Sequence, residues 1–395
     1  MNENTHTLNS EQERLFKILV NDKQDDWKTY SKRTNIKVWK GIVEKYPETA
    51  HFIYELIQNA DDTAATNVRI LLFRDKLVFK HNGKRQFSIT DAREQTGEIG
   101  DINSITSVGC STKEDEEQTI GKFGVGFKSV FQYTDTPSIY DDTFWFKIEN
   151  YIIPTLLEND HKLRNAGETL FELPFKDPEK AYPEILQRLQ NLNMPVLFLP
   201  HIQKIAWCID GEETIHEYSK EVIQTGERHG IKYEFCRIHE YDKNLLMYLF
   251  HRDSNTIKGK YNISVGFYVN PDGSLDIDAK GQIYCFFPTS EHFDSCFVSH
   301  APFLLVDNRD SIKRYEDINQ KFLNCIAELA ADALLCLKEI GECRNSRLLE
   351  SEDNEISTTD KNILINDNIF HILNIKSTEY RDNIFETVLF QKSKR

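Results

Sequence analysis

The sequence lacks several features that would assign it to a common class of protein. In its 395 residues, no apolar run approaches the ~20 residues of a membrane helix, and the polar start MNENTHTLNSEQER is not a signal peptide. The eight cysteines include no C-x-x-C pair and have no histidines at zinc spacing. We therefore expect a cytoplasmic protein that does not contact a membrane, with cysteines that are reduced and mostly buried.

Positive charge is also scarce. The chain has 48 Lys and Arg against 63 Asp and Glu, which gives a net charge of −15. This balance disfavours a broad electrostatic contact with nucleic acid, although it is compatible with a local basic groove. The length allows two or three domains, each with its own core.

The stretch TIGKFGVGFKSVFQ, residues 119–132, is typical of a loop that binds an anion, because its glycines leave backbone amides accessible. It is not a Walker loop, since Phe127 separates Gly126 from Lys128 and the Walker lysine directly follows that glycine. It is not a dinucleotide fingerprint either, because Ser129 stands where the third glycine belongs. Taken alone, the stretch is equally compatible with a glycine turn that binds nothing.

Upstream, the stretch YPETAHFIYELIQNADDTAATNVRILLF predicts a helix followed by a strand. Apolar residues recur at helical spacing and then alternate, which is typical of these two elements in that order. The following LVFKHNG predicts an antiparallel partner strand after a short turn. The residues that carry the two patterns are Phe52, Ile53, Leu56, Ile57 and Ala60 in the helix, and Val68, Ile70 and Leu72 in the strand.

Glu55 and Asn59 are four residues apart, so both project from one face of this helix. The pair has two interpretations. It is either part of an exposed polar stripe, or a carboxylate that orients water beside an amide oxygen that binds Mg²⁺. The second arrangement would suit nucleotide hydrolysis without a Walker lysine.

Taken in chain order, ELIQNADD, HNG, STK and GKFGVGFKS resemble the nucleotide-binding motifs of the GHKL ATPases, most closely those of the sacsin-like branch. The resemblance covers roughly residues 40–175. It implies an α+β chain whose first domain is a Bergerat-fold α/β sandwich, in which an antiparallel or mixed sheet carries helices on one face. It also implies ATP and Mg²⁺ as cofactors.

The resemblance assigns roles to individual residues. Glu55 corresponds to the general base and Asn59 to the Mg²⁺ ligand. Asn82 takes the place of an aspartate that accepts a hydrogen bond from the adenine amino group, which leaves adenine and guanine both open, and Thr169 corresponds to a threonine that reaches the base. The other residues assigned to the nucleotide are Asp62, Gly83, Ser111, Thr112, Lys113, Gly121, Lys122, Phe123, Gly124, Val125, Gly126, Phe127 and Lys128.

Within this last group, the amides from Gly121 to Gly126 are expected to surround the β- and γ-phosphates. Lys122 or Lys128 either adds charge there or faces solvent. Residues 92–120 are long, polar and interrupted by glycines, which favours a mobile lid over an ordinary surface loop. Ile102, Ile105 and Val108 predict a helical turn inside it.

The remaining sequence predicts the domain organisation. We expect a helical extension at 1–40, the nucleotide-binding domain at 41–175, a strand-rich α/β domain at 176–345 and an acidic linker with a final segment at 346–395. The second domain resembles a GHKL middle or transducer domain. A hairpin turn is predicted at 270–273 and a long apolar-striped helix from about Asp317. By the same resemblance, Arg309, or Arg314 as second choice, lies before that helix where an arginine or lysine would reach the γ-phosphate. An ordinary surface arginine is the equal alternative.

Two functions follow from the resemblance. The first is a slow Mg²⁺-dependent ATPase whose lid and domains change position, in a chaperone-like or defence-associated role. The second is a nucleotide-gated interaction module with negligible turnover. The expected partners are the nucleotide, other protein domains or client proteins, and a second copy of the chain in a nucleotide-dependent homodimer. A histidine kinase is disfavoured because no phospho-acceptor helix precedes the motifs, and a DNA-repair role is disfavoured by the negative charge.

Overall fold

In a computed structural model, the protein is an α+β chain that divides into two compact units. The first unit contains Met1–Leu192 and Leu199–Glu217, and the second contains Asn193–Phe198 and Tyr218–Arg395. The predicted domain boundary at 175/176 therefore falls inside the first unit. The structure describes residues 8–31, 51–91, 99–107, 126–254, 261–271, 273, 275–276, 279–293, 296–306 and 311–340.

The first unit combines four described α-helices with a mixed sheet of strand order β7-β1-β2-β6-β3-β4-β5. All neighbouring strands are antiparallel except β1 and β7. Its helices are α1 (Ser10–Tyr30), α2 (Phe52–Asp62), α3 (Asp101–Ile105) and α4 (Pro178–Gln190), and a 3₁₀ helix covers Phe127–Gln132. Its strands are β1 (Asn67–Leu72), β2 (Lys76–His81), β3 (Ser138–Tyr140), β4 (Trp145–Glu149), β5 (Ile153–Leu156), β6 (Thr169–Pro174) and β7 (Lys204–Ile209).

The helix and hairpin predicted around the first motif are confirmed. The apolar stripe of α2 is buried, and β1 alternates exposed and buried residues as predicted. Strand β2 pairs with β1 so that Ile70 lies opposite Phe79 and Val68 opposite His81. This hairpin places the residues after β2 near the C-terminal end of α2, where the backbone amide of Lys84 donates to the carbonyl of Thr63 at 2.9 Å.

Helix α1 packs on the first unit through aromatic side chains. Phe16 is buried, and its ring lies 6.4 Å from that of Phe144 and 6.2 Å from that of Phe146. Trp27 contacts Tyr151, with 6.3 Å between ring centroids. A helix with such a buried face is part of the fold of this unit.

Helix α4 lies directly after the predicted boundary at residue 175 and was not predicted from the sequence. Asp177 accepts a hydrogen bond from the backbone amide of Lys180, and Pro178 occupies the first turn, where its missing N–H costs nothing. The buried residues of α4 are Ala181, Tyr182, Ile185 and Leu189. The capping signal and this helical stripe were both present in the sequence, and the strand-like segments on either side obscured them.

The second unit contains seven described strands and one long described helix. Its strand order is β8-β9-β10-β11-β14-β12-β13, with β12 and β14 parallel. The elements are β8 (His216–Arg228), β9 (Ile231–Glu240), β10 (Lys243–Ser254), β11 (Tyr261–Val269), β12 (Gly281–Cys285), β13 (Phe287–Phe293), β14 (Phe297–His300) and α5 (Asp317–Ile340).

The long helix of this unit is confirmed at its predicted start. Phe322, Ile326, Leu329, Ala333 and Leu337 of α5 are all 0% exposed and pack against aromatic residues of the sheet. The predicted hairpin turn is also present, since the amide of Gly273 donates to the carbonyl of Asn270 at 2.9 Å. Gly341, the expected cap of this helix, lies outside the described residues.

Six of the eight cysteines belong to the described residues, and none of these six forms a disulfide bond. Four of them are buried and two are half-buried, which agrees with the expected small apolar role. None of the helices in the described part of the chain is both long and apolar enough to span a membrane.

Candidate functional site

Glu55 lies on a face of α2 that is buried. Its exposed fraction is 3%, and the neighbouring polar residue Gln58 is exposed to only 6%. The interpretation of this face as an exposed polar stripe is therefore wrong. A carboxylate in this position loses its hydrating water, which costs free energy unless other groups form hydrogen bonds or ion pairs with it.

The structure brings Glu55 together with Gly126, the last glycine of the predicted phosphate loop. A Cβ atom built on Gly126 would lie 2.0 Å from Oε2 and 2.9 Å from Cδ of Glu55. Real Cβ atoms essentially never approach another heavy atom to less than 3.0 Å. A side chain at this position would displace the end of the Glu55 side chain, so two residues from separate motifs lie close together.

His51 is the second group beside this carboxylate, and the sequence analysis missed it. Its Nε2 atom lies 3.7 Å from Oε1 of Glu55, and the exposed fraction of His51 is 7%. The two residues are one helical turn apart at the start of α2, where side chains at this spacing meet. The spacing H-x-x-x-E was therefore the available signal.

Asn59 and Asp62 follow Glu55 on α2, and both are half-buried. Asp61, between them, is 1% exposed and has a structural contact. Its Oδ1 atom accepts the backbone amides of His201 at 2.9 Å and Ile202 at 2.8 Å, which fixes the chain just before β7.

The turn after β2 uses its residues differently from the prediction. Asn82 is exposed, and its Oδ1 atom accepts the backbone amides of Thr66 at 2.9 Å and Asn67 at 2.8 Å. This oxygen holds the start of β1, which does not match the expected role of accepting a hydrogen bond from a base. Gly83 packs against α2, since a Cβ there would lie 1.9 Å from Oγ1 of Thr63.

Thr169 and His81 form a buried polar pair on the sheet. They are cross-strand partners in β6 and β2, with exposed fractions of 1% and 5%. Within the described part of the chain, Oγ1 of Thr169 has no hydrogen-bond partner. Phe171 lies beside them, with its ring stacked on the imidazole at 6.2 Å.

The environment of His81 fixes its protonation. The backbone amide of Gly83 donates to its Nδ1 atom at 3.1 Å. Burial lowers the pKa of His81 to about 4, and the charge of Glu168 opposes this only in part. The ring is therefore neutral at pH 7, and its proton is on Nε2.

Lys128 and Phe127 are part of the core, and this corrects their assignment to the phosphates. The Nζ atom of Lys128 donates to the carbonyl oxygens of Ile105 at 2.7 Å and Tyr151 at 2.8 Å. Burial, together with a smaller effect of the charge of Lys23, lowers the pKa of this lysine to about 7. Phe127 is 2% exposed, and its ring contacts that of Phe171 at 6.0 Å.

The predicted helical turn in the lid exists as α3, with Ile102 and Ile105 buried. Side chains of this helix form hydrogen bonds with Ser88 and Thr90 in the preceding segment. Asn103 Oδ1 accepts the amide of Thr90 at 2.9 Å, and Asp101 Oδ2 accepts the Ser88 hydroxyl at 2.7 Å. These contacts oppose the expected mobility for residues 99–107.

The remaining predicted site residues do not lie beside Glu55 in the described structure. Arg314 belongs to the second unit, where its Nη2 atom lies 2.6 Å from Oε2 of Glu291, as expected of a local ion pair. The predicted site residues outside the described part of the chain are Ser111, Thr112, Lys113, Gly121, Lys122, Phe123, Gly124, Val125 and Arg309.

The fold and site define an α+β protein whose first unit holds the buried carboxylate of Glu55 beside Gly126. Residues 33–149, which include Glu55, match the family model of the sacsin domain. This match supports the sacsin-like part of the predicted resemblance over that stretch. The wider assignment to the GHKL ATPases remains a prediction.

Two curated relatives agree with this result. The chain is 29% identical to Protein NO VEIN of Arabidopsis thaliana over 214 residues, which is 46% of this chain and 7% of that protein. It is 34% identical to Sacsin of Homo sapiens over 116 residues, or 27% of this chain and 2% of that protein. The chain thus spans less than a tenth of the length of these two relatives.

Among solved structures, one similar chain is described as the N-terminal domain of a DNA repair protein. It has 12% sequence identity and a TM-score of 0.38, with 76% of this chain and 98% of that chain covered. At this TM-score the likeness supports no conclusion about fold or function.

Proposed function

We propose that the first unit is a Bergerat-type nucleotide site that binds ATP with Mg²⁺ and hydrolyses it slowly. The observation that carries this proposal is the buried carboxylate of Glu55 against Gly126. With Gly126, backbone rather than a side chain lies beside this carboxylate. A hydrolytic base beside a phosphate-binding backbone would use this arrangement.

The residues present fit a nucleotide. Thr169 offers a buried hydroxyl for which the described residues supply no partner, and such a group gains stability from a ligand that forms the hydrogen bond. Gly126 leaves the space that a side chain would fill. These two features lie on β6 and on the 3₁₀ helix of the same unit.

When bound, Mg²⁺ would neutralise phosphate charge and polarise the terminal phosphoryl group. Asn59 would hold it through its amide oxygen, one turn after Glu55. The described residues contain no cluster of three His, Cys, Asp or Glu that could hold a metal ion. Phosphate oxygens and water would then supply the other ligands, as Mg²⁺ sites usually arrange.

Glu55 would accept a proton from the attacking water as the new bond to the γ-phosphorus forms and the bond from that phosphorus to the bridging oxygen of ADP breaks, so that ADP leaves. His51 would orient the carboxylate, because its Nε2 atom is 3.7 Å from one carboxylate oxygen while the glycine loop faces the other. The burial of both residues keeps bulk water from competing for these contacts. ATP turnover would serve a chaperone-like or defence-associated process through client proteins or further domains.

The proposal is tested by comparing the parent protein with Glu55→Ala and Glu55→Gln. We expect nucleotide affinity within about threefold of the parent by calorimetry, and turnover lower by roughly two orders of magnitude, the scale of a lost general base. Glu13→Gln, at an exposed position of α1, is the matched control and should keep parental turnover. Parental turnover in both Glu55 variants would contradict the role of this residue.

Asn59→Ala, measured in the same assays, distinguishes the binding of the Mg²⁺-nucleotide complex from the hydrolysis step. This variant should weaken the binding of the nucleotide with Mg²⁺ but leave binding without Mg²⁺ unchanged. If the parent protein binds ATP tightly and turnover cannot be detected, the nucleotide-gated interaction module replaces the ATPase as the function of this site.

A further inference from the structure

Lys128 lies in the 3₁₀ helix that begins directly after Gly126, and it is 1% exposed. An ammonium group removed from water costs free energy unless hydrogen bonds replace its lost hydration. The Nζ atom donates to the carbonyl oxygens of Ile105, 23 residues earlier, and Tyr151, 23 residues later. One side chain therefore connects three separate stretches of the first unit.

Both carbonyl groups belong to points where an element ends or turns. Ile105 is the last residue of α3, and the last carbonyls of a helix have no partner inside that helix. Tyr151 lies in the turn between β4 and β5, where it and Asn150 have φ values of 70° and 51°. Such left-handed backbone favours glycine. The tyrosine ring instead packs against Phe131 of the 3₁₀ helix, with 4.9 Å between the ring centroids.

The next residue, Ser129, connects this helix to the site. Its hydroxyl and its backbone amide both donate to the carbonyl oxygen of Gly126, at 2.6 Å and 3.1 Å. Gly126 in turn lies so close to Glu55 that a Cβ atom built on it would be 2.0 Å from Oε2 of that carboxylate. A shift of the 3₁₀ helix would therefore move the backbone that faces Glu55.

We propose that Lys128 is a positioning residue, which holds the 3₁₀ helix to α3 and to the β4–β5 turn and thereby fixes the backbone of Gly126 beside Glu55. The inference rests on the ATPase site proposed above. It gives Lys128 a role that differs from both sequence expectations, because this lysine neither adds charge at the phosphates nor faces solvent. Since hydrolysis depends steeply on the placement of the reacting groups, turnover should depend on Lys128 more than affinity does.

Lys128→Met, which keeps the length of the side chain but removes the donor, tests this role. Its kcat for ATP should fall by roughly tenfold to a hundredfold, the scale of a displaced reacting group, while KM stays within about threefold of the parent. Lys176→Met is the matched control. The Nζ atom of Lys176 donates to the carbonyl of Phe131 at 2.8 Å, at the other end of the same 3₁₀ helix, so this variant should keep parental kcat and KM.

A double-mutant cycle distinguishes positioning from a general loss of stability. If Lys128 acts through the placement of the backbone beside Glu55, its effect should disappear once that carboxylate is gone, because residues that act as a unit are not additive. In the Glu55→Gln background, Lys128→Met should therefore lower single-turnover hydrolysis by no more than about twofold. A loss as large as in the parent background would show an independent structural effect and overturn the inference.

Ser129→Ala provides a second variant in case Lys128→Met does not fold, which circular dichroism would show. The backbone amide of residue 129 still donates to the Gly126 carbonyl in this variant, so folding should persist. Loss of the hydroxyl should lower kcat by about tenfold, the scale of one hydrogen bond, and leave KM unchanged. The same change in the Glu55→Gln background should again have no further effect.

The possible failures are distinguishable. If the parent protein hydrolyses no ATP, the proposed function fails and this inference fails with it. If the parent hydrolyses ATP but a folded Lys128→Met or Ser129→Ala variant keeps the parental kcat, the proposed function stands and the positioning role is wrong. A change confined to KM, or an equal loss of kcat in Lys176→Met, would also overturn the inference.

Discussion

At the scale of single residues, burial decides which polar side chains can take part in the site. Glu55 and His51 are both buried and adjacent, whereas Asn82 is exposed and Lys128 donates to backbone carbonyls. The sequence motifs assigned Glu55 and Asn82 to the nucleotide site and left Lys128 either adding charge there or facing solvent. The structure separates them because it shows which atoms the protein itself already uses.

His51 should act as a positioning residue for Glu55. We expect His51→Gln to lower kcat about tenfold with little change in KM, because the carboxylate loses a contact that fixes its orientation. His292→Gln, at an exposed position of the second unit, is the control and should leave both parameters as in the parent. A loss confined to KM would contradict the positioning role.

His81 should make the stability of the first unit depend on pH. Its pKa is about 4 in the folded protein against an ordinary 6.5, so the unfolded chain binds the proton more readily between these values. The stability that the neutral ring provides is complete above pH 6.5 and is lost as the pH falls toward 4. The loss is on the order of 3 kcal/mol over this window. The free energy of unfolding, measured with urea between pH 7 and pH 4, should therefore fall less with decreasing pH in His81→Gln than in the parent. An equal pH dependence in the two proteins would refute the assignment.

At the scale of elements, the sequence predicts those whose pattern is local. Helix α5 and the β1–β2 hairpin carry unbroken apolar periodicities, and the structure has them where expected. Helix α4 was missed because its short stripe lies between strand-like segments. The contact between Glu55 and Gly126 could be anticipated only through the family resemblance, since no local pattern links residues so distant in the chain.

Helix α1 should be an integral part of the first unit. Its residue Phe16 is buried against Phe144 and Phe146, so Phe16→Ala should lower the free energy of unfolding by about 3–5 kcal/mol. Lys17→Ala changes the adjacent, exposed position and should alter stability by less than about 0.5 kcal/mol. Denaturant unfolding measures both values. Similar stabilities of the two variants would show that α1 does not stabilise the unit.

At the scale of the whole molecule, the two units have different predicted contributions. The buried carboxylate, the glycine loop and the polar pair of β2 and β6 all belong to the first unit. Any coupling of nucleotide turnover to another process would then depend on the second unit. The sequence predicts Arg309 or Arg314 for that coupling. Of the two, Arg314 belongs to the described residues, where it pairs with Glu291.

Arg309 remains the predicted link between the second unit and the γ-phosphate. Backbone amides and one metal ion leave the terminal phosphate partly uncompensated, and a guanidinium can pair with it in a bidentate manner. Arg314 is the matched control, because it forms a local ion pair with Glu291 at 2.6 Å. We expect Arg309→Ala to lose turnover and the preference for ATP over ADP by tenfold or more while the fold persists. Arg314→Ala should keep both, with a change in stability of at most about 1 kcal/mol. Steady-state turnover and calorimetry with the two nucleotides measure these quantities, and parental values in Arg309→Ala would remove this arginine from the mechanism.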